Sequence, residues 1–66
     1  MKIVYQGAEV ETSAVNVAEF LAERGVNAAT ALVEFGGEVY APGADLRPLA
    51  LTDGAALDVF RMVAGG

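Results

Sequence analysis

The sequence closes on Val63-Ala64-Gly65-Gly66, which puts a terminal carboxylate on residues with almost no side chain. Glycine lets backbone approach another surface closely and take up conformations closed to other residues. An enzyme acting on the carboxylate could therefore draw these residues into a narrow channel. From Val63 to Gly66 the chain reaches at most on the order of 13 Å, at about 3.3–3.6 Å per residue. A terminal carboxyl has a pKa of about 3.3–3.7, so at neutral pH Gly66 is an anion and a poor electrophile. Any reaction there needs activation from outside. The plain alternative is a frayed terminus. Random chains end in Gly-Gly about once in 200 times, with glycine near 7% of residues. The ending alone therefore decides little.

The other side chains offer little chemistry. There is no cysteine and no histidine. That removes thiolate metal sites, disulfides, thiol nucleophiles and the commonest general base together. Glu34, Glu38 and Asp58 read as a solvated face rather than a catalytic pair. Neither a catalytic residue nor a metal ligand is expected, and no bound cofactor. The nine carboxylates outnumber Lys2, Arg24, Arg47 and Arg61, giving a net charge of −5. Such a chain is a poor binder of nucleic acid, whose affinity rests on phosphate contacts. An acidic surface does suit a partner with basic patches.

Sixty-six residues make one small domain, spanning 1–66 with a flexible tail over about 64–66. A chain of this size buries only about 60% of the surface its unfolded form exposes. Its apolar runs are far shorter than the roughly 18 residues of a membrane span. No basic stretch precedes an apolar segment at the start, which argues against a signal peptide. The cytoplasm is the default compartment.

Elements that would position the tail can be read in order. Met1-Lys2-Ile3-Val4-Tyr5-Gln6 predicts a strand, Gly7 a turn, and Glu9-Val10-Glu11-Thr12 its partner with Val10 inward. Asn16 predicts a helix N-cap, with Glu19 three residues on, as in a capping box. Val17, Phe20, Leu21 and Ala28 follow helical spacing, and Gly25 suits the left-handed position after a helix spanning 16–24. Ala31-Leu32-Val33-Glu34-Phe35 and Glu38-Val39-Tyr40 flank Gly36-Gly37 as a hairpin. Leu46 and Leu49 are expected to reach the core from a short turn, and Asp53-Gly54 turns the chain into a last strand over 56–63. In that strand Leu57 and Val59 point to the core, with Arg61 on the same side. Phe60 and Met62 then face outward beside Asp58. Two large apolar residues so placed suggest a contact patch. The order ββαββ plus β predicts an α+β fold, one helix across one face of a mixed four- to five-stranded sheet.

At this point the chain resembles a known family. The start Met1-Lys2-Ile3, Asn16-Val17-Ala18-Glu19-Phe20-Leu21, Val33-Glu34-Phe35-Gly36-Gly37-Glu38-Val39, Asp53-Gly54 and the terminal Gly65-Gly66 look like the ThiS-type sulfur carriers of thiamine biosynthesis. That family has the ubiquitin-like β-grasp fold. Two departures are Gly36-Gly37, where the family commonly has Asn-Gly, and Ala55, where it commonly has an acid. The resemblance implies a monomer when free that is a cosubstrate and not an enzyme. It implies that an ATP-using adenylating enzyme of the ThiF type activates Gly66. A cysteine desulfurase or other donor then supplies sulfur, and the thiocarboxylate passes it to a thiazole synthase of the ThiG type. Gly65 and Ala64 would keep the tail thin, Phe60 and Met62 would anchor the partner, and Asp58 and Arg61 would set register. The small subunit of molybdopterin synthase shares fold and tail, so a carrier for molybdopterin or another sulfur-containing metabolite is an alternative. So is a non-covalent ubiquitin-like interaction module.

Overall fold

A β-branched, alternating segment buries one side only, so its inward residues must find an element to pack against. The computed structural model of the protein describes residues 1–61. Strands β1 (Lys2–Tyr5) and β2 (Ala8–Glu11) form an antiparallel hairpin, and helix α1 (Val17–Glu23) follows. Strands β3 (Ala31–Phe35) and β4 (Glu38–Tyr40) form a second hairpin, and β5 (Ala56–Arg61) enters the middle of the sheet. The strand order is β2-β1-β5-β3-β4, with β5 parallel to β1 and antiparallel to β3. This is the expected α+β architecture of the β-grasp type, with five strands. Among the described residues no helix is long and apolar enough to cross a membrane.

The core forms where α1 crosses the sheet. Val17, Phe20 and Leu21 are buried against Ile3, Val33, Leu57 and Val59. The Tyr5 and Phe20 rings meet edge to face at 4.9 Å, and the Arg24 guanidinium lies 5.3 Å from both ring centroids. Arg24 thus keeps its charge in water while covering aromatic surface.

The ends of α1 follow from local chemistry. Asn16 Oδ1 accepts from the Glu19 backbone N–H at 2.8 Å. The Glu19 carboxylate reaches back as expected, but to the Val15 N–H at 3.4 Å rather than to that of Asn16. At the other end Gly25 has φ +71°, its N–H donates to Ala22 O, and Val26 N–H donates to Leu21 O at 2.8 Å. That pair of bonds is the Schellman arrangement, with Val26 buried as its apolar contact. Ala28 therefore lies beyond the helix and not on its apolar stripe, because Gly25 has already reversed the chain.

Three further expectations shift. Gln6 belongs to the turn after β1 rather than to the strand, with φ +53°. Thr12 lies past β2 and is buried, its hydroxyl donating to Glu23 and accepting from the Ala14 N–H. Leu46 is buried as expected, but Leu49 is only partly so and Leu51 takes the deeper place. The reason is a short bridge: Val17 N–H donates to Leu49 O and Leu51 N–H to Val15 O, which aims Leu51 inward. Nearby, Asp45 accepts two side-chain bonds from Arg47, which hold its carboxyl down to about 2. Both groups are in water, so the pair adds little stability.

Replacing Asn16 with alanine should cost about 1 kcal/mol of stability in urea denaturation, the usual loss of an N-cap. Asn16→Ser, which keeps an acceptor, should stay close to the parent. Equal loss in both variants would contradict the cap.

Candidate functional site

Strand β5 carries the described part of the expected site, and its position settles where each residue points. Leu57 and Val59 are buried on the helix side. The alternate residues, Asp58 and Phe60, must then face the open side of the sheet. Phe60 is 55% exposed and Asp58 partly buried. Arg61 pairs with Ala31 and shares the helix-side parity of Val59, so it stands apart from Asp58 and Phe60. Met62, Ala64, Gly65 and Gly66 lie outside the described residues.

The register of β3 adds neighbours that the last strand alone does not reveal. Phe60 pairs with Leu32, and Asp58 with Glu34. Glu34 pairs in turn with Val39 of β4, which is 60% exposed. The open face therefore bears an apolar strip of Phe60 and Leu32 and, in the next cross-strand row, Asp58, Glu34 and the apolar Val39 side by side. Along the edge of this region Glu34, Gly36, Gly37, Ala56 and Asp58 line a shallow groove. Leu32 and Val39 had a signal in the sequence: each is apolar at the outward parity of a one-sided strand.

Electrostatics on this face are uneven. Directly opposed like charges destabilise a strand pair. Glu34 and Asp58 are such a pair, and the hydrogen bonds and ion pairs found among the described residues give neither a cationic partner. Among the described residues no group of three or more His, Cys, Asp and Glu could hold a metal ion.

A second feature is the hold on β5 from the β1 side. Backbone bonds run from Val4 N–H to Ala55 O at 2.8 Å and from Gln6 N–H to Leu57 O at 3.1 Å. The Gln6 side chain adds two more, to the N–H and the carbonyl of Val59, each at 2.8 Å. The sequence places Gln6 at the end of the first strand with no role for its side chain, and no local pattern marks one, because its partner lies 53 positions away.

Removing either opposed charge, as Glu34→Gln or Asp58→Asn, should raise stability by roughly 0.2–1 kcal/mol. Thermal or urea unfolding of the two single variants and the double variant checks this. A loss of stability in both single variants would contradict the repulsion.

No protein-family model and no curated protein matches the chain. Among solved structures it is similar to the thiamine biosynthesis protein ThiS from Geobacter metallireducens, with a TM-score of 0.78 and 27% sequence identity. The alignment covers 100% of both chains, including their small size. The chain is ThiS-like: a small β-grasp domain similar to that protein from end to end.

Proposed function

We propose that this chain is a sulfur carrier for thiazole formation in thiamine biosynthesis, with Gly66 as the reacting residue. The observation that carries this reading is the full-length likeness to ThiS, combined with a Gly65-Gly66 end that follows β5 in the sequence. A carrier of this kind is a cosubstrate, not an enzyme, and binds no cofactor. Its carboxylate attacks the α-phosphorus of ATP held by an adenylating enzyme, and pyrophosphate leaves. The acyl-adenylate is then a competent electrophile. A sulfur nucleophile supplied through a cysteine desulfurase or a similar donor attacks the carbonyl carbon. With a persulfide as that nucleophile, a C–S bond forms and the C–O bond to AMP breaks to give an acyl disulfide. A second thiol, the two-electron reductant, then cleaves its S–S bond, ends as a disulfide, and leaves Gly66 as a thiocarboxylate. A thiazole synthase takes the sulfur and returns the carboxylate.

The chain's own residues bind and orient. Gly65 and Ala64 keep the tail thin enough for backbone capture in a recessed site. Phe60 and Met62 anchor the adenylating enzyme, since buried aromatic anchors dominate interface energetics. Asp58 sets register on the same face, with Arg61 contacting the partner from the other side of the strand. The opposed Glu34 and Asp58 call for a partner surface with basic groups, and complementary charge speeds docking.

Adenylation by a ThiF-type enzyme, followed as ATP-dependent pyrophosphate exchange, tests both halves of this reading. Gly65→Leu should abolish exchange while leaving the fold unchanged by circular dichroism. Phe60→Ala should weaken the apparent affinity by about tenfold or more, as loss of an anchor does. Undiminished exchange in Gly65→Leu would remove the carrier reading.

A further inference from the structure

We propose that Gln6 is a positioning residue: its carboxamide clamps β5 at Val59 and so fixes the course of Phe60 and Arg61. Its consequence for sulfur loading rests on the carrier reading above, whereas the clamp itself does not.

Strand β1 ends at Tyr5, and Gln6-Gly7 turns the chain back to Ala8 with φ +53° and +80°. Gln6 is the non-glycine residue with positive φ among the described residues. That region is disfavoured for a residue with a Cβ, and where it is used the residue is usually asparagine, aspartate or glycine. A glutamine there needs a reason, and its side chain supplies one. A carboxamide presents a donor and an acceptor side by side, as a peptide group does. Gln6 Nε2 donates to the Val59 carbonyl and Oε1 accepts from the Val59 N–H, both at 2.8 Å. The side chain thus prolongs the β1–β5 ladder after the backbone of β1 has turned away. Asparagine suits the turn better but is one methylene shorter, so the residue present favours reach over backbone ease.

The location matters because Val59 immediately precedes Phe60. From the other side, β3 accompanies β5 as far as the Ala31–Arg61 pair. On the β1 side the backbone pairing runs only to Tyr5 and Leu57. Without the Gln6 bonds, β5 would be held on one side alone from Val59 onward. With them, Phe60 and Arg61 leave a strand that is fixed on both edges. A docking enzyme then meets a pre-ordered segment and loses less free energy in immobilising it.

The informative variant is Gln6→Asn, which keeps a turn-compatible amide and removes the reach. Thr12→Ala serves as a control, because it deletes hydrogen bonds remote from Val59. In Gln6→Asn the Val59 amide should exchange with solvent about tenfold faster, and backbone ¹⁵N relaxation should show lower order at Phe60 and Arg61. In Thr12→Ala order at Phe60 and Arg61 should be unchanged. Adenylation of Gln6→Asn should show a raised KM with kcat nearly intact, which a purely stabilising role would not produce well below the melting temperature. Unchanged Val59 exchange, or parallel acceleration of all core amides, would overturn the clamp. Released Val59 with an unchanged KM would overturn the positioning role. If the parent protein is not adenylated at all, the carrier reading falls, while faster Val59 exchange and lowered order at Phe60 and Arg61 still establish the clamp.

Discussion

Strand β5 sits between a parallel neighbour and an antiparallel one, and nearly everything else in the molecule depends on that placement. It joins the two hairpins into one sheet, so its hydrogen bonds are the ones that tie residues near each end of the sequence together. Leu57 and Val59 must point at α1 to complete the core beneath Phe20. Once they do, the pleat leaves Asp58 and Phe60 no choice but the open face. Burial on one side of a strand thus dictates what is displayed on the other, with four residues separating Phe60 from Gly65-Gly66. A single-residue slip of β5 would bury Asp58 and Phe60 and expose Leu57 and Val59, which is why the register is strongly held.

The open face shows features that folding alone would not select. Glu34 and Asp58 oppose one another across β3 and β5, with exposed Phe60 and Val39 nearby. Each feature works against stability or solubility in the free protein. In the proposed carrier, all of them would serve docking onto a partner with an apolar socket and basic groups. Natural proteins tolerate such local losses where a surface has another use. The positive φ of Gln6 is of the same kind, a local strain held by two bonds to a distant strand.

Much of the fold was legible because its signals are local. Asn16 and Gly25 mark the ends of α1 by chemistry confined to a few residues, and Gly36-Gly37, with φ +61° and +81°, specifies a tight hairpin by itself. The outward direction of Phe60 could also be read, since alternation from Leu57 suffices. What sequence reading missed depends on register between remote strands. The outward sides of Leu32 and Val39 follow from alternation, but that Leu32 stands beside Phe60 emerges only from the pairing of β3 with β5. Leu51 displaces Leu49 from the deeper core position through a bridge to the start of α1. Gln6 looks like the last residue of a strand until Val59 is seen beside it. Ala28 misled for the opposite reason: helical spacing continued in the sequence after the Schellman turn had ended the helix.

Sulfur carried on Gly66, as proposed, is read directly by the mass of the intact protein. The protein should be isolated from its own sulfur-replete cells in which the sulfur acceptor has been removed, so that a loaded carrier cannot discharge. A carrier will appear in part as a species heavier by the exchange of one oxygen for sulfur, with fragmentation placing the change at Gly66. Finding only the unmodified carboxylate under those conditions would contradict the assignment.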